Sequence, residues 1–145
     1  MKRKNILPPW SFKGDDFFEK CNKCAKCIEL CPKGIIKNGS FNYPKVEFTT
    51  NYCDFCRICV ENCPTNALDI KNKPFGHKVE IKKSCLAMNA ITCRVCADSC
   101  EEEAIEFKLQ TKGRSNPVID IELCNGCGEC LVKCVNNSII IKYAS

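Results

Sequence analysis

The sequence predicts an α+β chain of two tandem modules, each made of short helices and small β-ribbons. Three observations predict it. Sixteen of the 145 residues are cysteine, far above ordinary usage. Those cysteines fall into four runs of four, so the chain is internally duplicated. Short alternating apolar segments lead into and out of the runs. The length allows one domain or two very small ones, and only 8% of residues are aromatic. Two modules of that size bury too little apolar surface to stand without staples.

The runs are Cys21, Cys24, Cys27, Cys31; Cys53, Cys56, Cys59, Cys63; Cys85, Cys93, Cys96, Cys100; and Cys124, Cys127, Cys130, Cys134. The first, second and fourth share the spacing C-x2-C-x2-C-x3-C. The third ends the same way but places seven residues, Leu86 to Thr92, between its first two cysteines. This is the bacterial spacing for [4Fe–4S] cubane clusters. Three thiolates at intervals of three bend around one corner of a cube, and the fourth iron takes a thiolate from elsewhere. Zinc favours two separated C-x2-C knuckles with four ligands per ion, which is another shape. A disulfide framework needs an oxidising compartment, and adjacent x2 pairs bond poorly. The cofactors expected are therefore four [4Fe–4S] clusters in bacterial two-cluster ferredoxin-like modules, held by all sixteen thiolates.

The elements follow in order. Residues 1–17 are read as an N-terminal arm, residues 18–72 as the first module and residues 76–145 as the second. The arm starts basic, Met1-Lys2-Arg3-Lys4, without the apolar run of a secretory signal. No stretch is long and apolar enough to span a membrane, so the expected location is cytoplasmic. In the arm, Pro8-Pro9 stiffens the chain and Trp10 supplies one large anchor, expected to pack on the protein's own surface. A short helix is expected to begin near each fourth cysteine, with Pro32 and Pro64 at its first position. Outgoing strands are expected at Ile35-Ile36-Lys37, Leu68-Asp69-Ile70, Ile105-Glu106-Phe107 and Ile139-Ile140-Ile141. Incoming strands are expected at Val46-Glu47-Phe48, Val79-Glu80-Ile81 and Val118-Ile119-Asp120-Ile121. Asn38-Gly39 reads as a turn. The polar stretch Lys71 to Gly76 reads as the linker, with His77 beside it at the surface.

In such pairs the fourth cysteine of a run reaches the other cluster. Crossing gives Cys21, Cys24, Cys27 and Cys63 for cluster one and Cys53, Cys56, Cys59 and Cys31 for cluster two. It gives Cys85, Cys93, Cys96 and Cys134 for cluster three and Cys124, Cys127, Cys130 and Cys100 for cluster four. The straight assignment, one run per cube, stays open. The seven-residue gap either covers cluster three with apolar atoms, which would tune its potential, or is a tolerated insertion.

The formal charge of +5 misleads, because ligating cysteines are ionised. Sixteen thiolates and four cores of +2 each bring the loaded protein to about −3. A nucleic-acid reading built on the basic pI fails on that count. Residues 1–50 hold ten Lys/Arg against five Asp/Glu, and residues 101–145 hold five against seven. The sequence has one histidine, and no phosphate loop or dinucleotide fingerprint. With sixteen thiolates for four cubes, no iron is left open for chemistry on a substrate. Electron transfer, or service to another redox enzyme, is the class that remains.

At whole-chain level the sequence resembles the NapF family, ferredoxin-type accessory proteins of periplasmic nitrate reductase. The resemblance rests on Pro8-Pro9-Trp10 ahead of a Phe-rich turn, and on the approach to the second run from Gly39 to Phe48. It rests also on the wide third run, Cys85-Leu86-Ala87 with Cys93-Arg94, and on Cys124-Asn125-Gly126-Cys127-Gly128. It extends from about residue 6 to 142. The chain departs from the family at Glu101 and Val135, where a proline is usual, and at Leu7, where arginine is frequent. The resemblance implies a cytoplasmic protein, not itself an enzyme, that meets the catalytic molybdenum subunit, NapA, before export. The implied role is maturation, by cluster insertion or reduction. The alternative is an electron-transfer subunit of a respiratory or hydrogenase-type complex; a soluble carrier with several partners is a third reading.

The helices are too short to persist alone, so ligation must hold them. Protein stripped of iron and sulfide is expected to lose most of its secondary structure. Circular dichroism of the stripped chain tests this, and a native spectrum overturns it.

Overall fold

The computed structural model describes residues 5–143, which divide into two compact units between Gly76 and His77. The basic start of the arm, residues 1–4, lies outside the described residues.

The first unit holds α1 (Asp15–Lys20), α2 (Lys26–Leu30), β1 (Ile36–Asn38), β2 (Pro44–Val46) and α3 (Ile58–Glu61). The second holds β3 (Lys78–Ile81), α4 (Val95–Asp98), β4 (Ile105–Leu109), β5 (Ser115–Ile119), α5 (Glu129–Lys133) and β6 (Ile139–Lys142). Every sheet has two antiparallel strands: β1 with β2, β4 with β5, and β3 with β6. The architecture is therefore the expected α+β with small ribbons.

Each central ribbon is a hairpin between two cysteine runs. In the first, Ile36 faces Val46 and Asn38 faces Pro44. The turn begins at Gly39, whose N–H donates to Tyr43 O at 2.8 Å. A Cβ there would sit 2.9 Å from the same oxygen, so only glycine fits the turn. That turn fixes the register two residues earlier than the expected strand 46–48. In the second, the strand ends at Ile119 rather than Ile121, because Asp120 turns the chain: its carboxylate accepts the N–H groups of Glu122 and Leu123. The expected strand 68–70 shrinks to a single bridge between Leu68 and Ser11. Asp69 stops it, accepting the Lys71 N–H at 2.9 Å on its side chain.

The helices do not begin at the fourth cysteine. Helices α2, α3, α4 and α5 start one residue ahead of the third cysteine and stop before the fourth, which ends α2 and α5 as the cap residue. Pro32 and Pro64 thus follow a helix instead of opening one, a position that also suits a residue unable to continue it. They occupy a tight turn that recurs after all four runs. Its third residue has positive φ each time: Gly34, Asn66, Glu103 and Asn137. Its next residue is buried each time: Ile35, Ala67, Ala104 and Ser138. The N–H of Gly34, Glu103 and Asn137 closes the turn onto the carbonyl of Cys31, Cys100 and Cys134 at 3.0, 3.1 and 3.2 Å. Glu101 and Val135 replace proline inside this turn, where the ring is favoured but not required.

The head completes the first unit. Pro8, Pro9 and Trp10 are buried, and Trp10 meets Phe55 edge-on at 6.0 Å. The Trp10 N–H donates to Pro74 O, and Trp10 O accepts from Asp69 N–H, both at 2.9 Å. Phe12 N–H donates to Ala67 O, as Lys82 N–H does to Ser138 O in the second unit. Residues 6–12 therefore stand to the first unit as β3 stands to the second. Residues 6–12 make only isolated bridges, however, Ile6 with Val46 and Ser11 with Leu68, and α1 separates them from Cys21, whereas β3 pairs continuously with β6. The core of the first unit gathers Trp10, Phe17, Ile35, Ile36, Val46, Leu68 and Phe75. That of the second gathers Val79, Ile105 and Ile139 with Cys96 and Cys130.

The expectation of a surface His77 fails, for the residue is only 4% exposed. Its Nε2–H donates to Gly126 O at 2.8 Å, and the adjacent Lys78 donates Nζ–H to Cys124 O. The start of β3 thus clamps the Cys124–Cys130 loop. Burial holds the imidazole below its ordinary pKa, the bond to Gly126 pulling the other way and Lys78 adding to the fall.

Two outcomes follow from this packing. Trp10→Ala opens a cavity in the first core and should cost it about 3–5 kcal/mol. Hydrogen exchange of the loaded protein should then quicken across residues 5–76 and leave residues 77–143 unchanged. His77 binds a proton more weakly folded than unfolded, so its contribution is present above its ordinary pKa of 6.5 and fades as pH falls below it. His77→Gln keeps a donor that does not titrate. In chemical unfolding of the second unit, that variant should show a shallower loss of stability between neutral and acid pH than the parent.

Candidate cluster sites

Three of the four runs share one loop. The residue after the first cysteine is Asn22, Asp54 or Asn125, and its side chain accepts the N–H of the second cysteine. Those distances are 3.2, 3.3 and 3.1 Å. Two positive-φ residues follow on either side of the second cysteine: Lys23 and Ala25, Phe55 and Arg57, Gly126 and Gly128. The second of each pair is the cap from which the helix starts, so the third cysteine rides on that helix. Side chains with a Cβ cost about 1–2 kcal/mol each in this conformation. The first two loops hold four such residues, and ligation must offset them. The fourth loop uses glycines and avoids the cost.

The third run is built differently. Its extra residues fold into a 3-10 turn, Ala87–Asn89, with Ala87 buried. Asn89 Nδ2 ties the turn down, donating to Lys83 O at 2.9 Å and Cys85 O at 2.8 Å. The insertion is thus an ordered, packed element. Arg94 lies over the Phe107 ring at 4.7 Å.

The thiols gather across the runs. Cys63 is among the neighbours whose charge acts on Cys21 and Cys27, with Cys24 beside them. Cys31 acts likewise on Cys53 and Cys56. Cys100 acts on Cys127 and Cys130. Cys85 and Cys93 act on Cys96. Cys134 packs against the second core, its sulfur accepting the Ser138 N–H at 3.3 Å. Cys100 sulfur accepts the Ala104 N–H in the same way at 3.4 Å. Neighbouring groups adjoin through third cysteines, since Cys27 acts on Cys59 and Cys96 acts on Cys130.

Two cavities mark where such groups leave room. One, open to solvent, is lined by Cys31, Cys53, Cys56 and Cys59 together with Trp10. The other, also open to solvent, is lined by Cys100, Cys124, Cys127 and Cys130 with Val79 and Ile105. Burial first of all pushes Cys53, Cys59 and Cys130 up to about 12, and Cys27 and Cys96 up to about 11. Cys21, Cys56 and Cys127 are raised for the same reason. Left as thiols they stay neutral, so a bound group must draw off their protons. Among the described residues no three Cys, His, Asp or Glu side chains gather as around a single ion. A cubane instead gives each thiolate its own iron. Soft donors around mostly apolar cavities, with N–H groups on sulfur, fit that cofactor.

Sequence reasoning missed two groups of residues here. One is the Asn or Asp after the first cysteine, legible as a repeat in three runs. The other is the His77–Lys78 clamp, whose partners lie 46 or more residues away and leave no local signal.

Comparison with known proteins agrees. Residues 20–68 match one 4Fe-4S dicluster domain family, and residues 89–138 match another. The second match begins after Cys85. Two dicluster domains give four [4Fe–4S] clusters, for which sixteen cysteines are the full complement. The chain is 36% identical over 139 residues to the ferredoxin-type protein NapF of Escherichia coli K12, covering 95% of this chain and 85% of that one. It is 38% identical to NapF of Haemophilus influenzae, covering 92% and 77%. The methylamine utilization ferredoxin-type protein MauM of Methylophilus methylotrophus is 32% identical, with 94% and 69% covered. Similar over nearly its whole length and carrying both dicluster domains, the chain belongs to the NapF family of ferredoxin-type iron–sulfur proteins.

Proposed function

We propose that this iron–sulfur protein is an accessory factor for the catalytic molybdenum subunit of a periplasmic nitrate reductase, NapA. In this reading it acts in the cytoplasm, before that subunit is exported, and readies it by supplying electrons or cluster. The observation that carries the reading is the near full-length likeness to NapF. The protein has no substrate of its own in this scheme, and one-electron equivalents are its cargo.

The clusters supply one-electron storage, and the chain holds them by crossed ligation. Cys21, Cys24, Cys27 and Cys63 hold cluster one, while Cys31, Cys53, Cys56 and Cys59 hold cluster two. Cys85, Cys93, Cys96 and Cys134 hold cluster three, while Cys100, Cys124, Cys127 and Cys130 hold cluster four. The charge neighbours of Cys21, Cys53 and Cys127 support this pairing, as do the two cysteine-lined cavities. Within each unit the third cysteines adjoin, which gives an electron a short step between paired clusters.

Protein purified without air should carry about sixteen iron and sixteen sulfide per chain. The double variant Cys24→Ala, Cys63→Ala separates the pairings. Crossed ligation loses one cluster and leaves about twelve iron, whereas straight ligation loses two and leaves about eight. For the partner, the loaded protein should bind the molybdenum subunit transiently and prefer its cofactor-poor form. A permanent complex that purifies whole would instead favour the electron-transfer subunit.

A further inference from the structure

The two units present their clusters to solvent unequally. The second cysteine of a run sits at the tip of its loop. Cys24 and Cys56 are exposed in the first unit, while Cys93 and Cys127 are half-buried in the second. An electron leaves a protein where a cluster edge lies near the surface, so the first unit offers the shorter way out.

Cys24 and Cys56 differ in their surroundings. Around Cys24 stand three exposed lysines, Lys20, Lys23 and Lys26, against two carboxylates of the same stretch, Glu19 and Glu29. Two of the ammonium groups are held on rings. Lys23 Nζ lies 4.4 Å over Tyr43, and Lys20 Nζ lies 4.8 Å over Phe12. Tyr43 is itself fixed, edge-on to Phe18 at 4.8 Å, with its hydroxyl donating to Phe18 O. Phe18 remains 41% exposed, so an aromatic shelf carries the ammonium of Lys23, the residue before Cys24. Around Cys56 the charges are mixed: Arg57 beside Asp54, which Lys33 approaches at 3.8 Å.

The larger charge balance runs the same way. Residues 1–76 carry thirteen Lys/Arg and eight Asp/Glu, and residues 77–145 carry nine of each. Two loaded clusters subtract about four charges from either unit. The first therefore stays slightly positive while the second becomes negative.

We propose that the corner of cluster one at Cys24 is the electron port, built for a redox partner whose docking face carries carboxylates. This rests on the electron-carrier reading given above. One electron passes from the reduced cluster through the Cys24 sulfur to the partner's oxidised centre. No bond forms or breaks and no proton moves. The pinned lysines orient the acidic face.

The test uses the full, loaded chain, reduced by dithionite and reoxidised in stopped flow by one-electron probes of opposite charge. Cobalt(III)–EDTA is the anionic probe and cobalt(III) hexammine the cationic one. The variant Lys20→Glu, Lys23→Glu, Lys26→Glu should lower the anion-to-cation rate ratio about tenfold at low salt. That change should fade as ionic strength rises. The control Lys108→Glu, Lys112→Glu, Arg114→Glu makes the same change in net charge on the exposed β4–β5 tip and should move the ratio less than about twofold. Should the triple variant fail to load, Lys23→Gln carries the test with a smaller fall in the same direction. An unchanged ratio in the port variant, or equal changes in port variant and control, overturns the port while sixteen iron and reversible reduction preserve the carrier reading. A protein without reducible clusters overturns both.

Discussion

The bond between thiolate and iron is the constraint on which the rest of this structure depends. Each unit buries a handful of apolar side chains, and its helices are four to six residues long. No helix of that length persists in water through its own hydrogen bonds. Against this stand the costs of the fold: non-glycine residues in the left-handed region at Lys23, Ala25, Phe55 and Arg57, and cysteines buried until their thiols resist ionisation. Both costs fall on the cluster loops. Ligation converts the buried thiols into the strongest contacts in the molecule and makes the strained loops the native ones.

Duplication then explains the economy of parts. One unit of structure recurs: a strand, a cysteine loop, a helix bearing the third thiol, a tight turn and a returning strand. The turn after the fourth cysteine is the most faithful copy, with positive φ at its third residue and a buried residue next in all four cases. Variation is confined to places the repeat leaves free. The first unit closes the cavity of its second cysteine loop with Trp10, and the second closes the corresponding loop with the polar clamp of His77 and Lys78. Equivalent backbones thus present different dielectric and hydrogen-bonding surroundings to their sites, the quantities that set the potential of a cluster.

Much of this was legible in the sequence, and what was not has physical reasons. Cysteine spacing is a covalent record of ligation, so the four runs and the duplication read directly. The apolar triplets Ile35–Lys37, Val79–Ile81, Ile105–Phe107 and Ile139–Ile141 all fall on or against strands. Helix positions did not read correctly, because proline's fixed φ suits both a first helical turn and a tight turn after one. The deciding signal was the left-handed residue ahead of the third cysteine, which is glycine in the fourth run and disguised as Ala25 and Arg57 in the first two. His77 looked like a linker residue because its neighbours in sequence are polar. Its environment is made by Gly126, 49 residues on, and no local pattern reports that. Trp10 read correctly as an anchor. Its place in the segment that opens the first unit emerged only from its bonds to Asp69 and Pro74.

The charge of the protein belongs in the same argument. A chain that counts as basic by its side chains becomes mildly acidic once its cofactors are included, and the conversion is unequal, because the lysines crowd the first unit while the clusters are shared evenly. Electrostatic steering acts on the loaded molecule, so its sign must be reckoned with the clusters in place. On that reckoning the positive field survives only where lysines outnumber what two clusters withdraw, which is the unit whose loop tips Cys24 and Cys56 reach solvent. Attraction for an acidic partner and access to a cluster thus coincide on one unit. The other keeps its loop tips half-buried and its field negative, which repels such a partner.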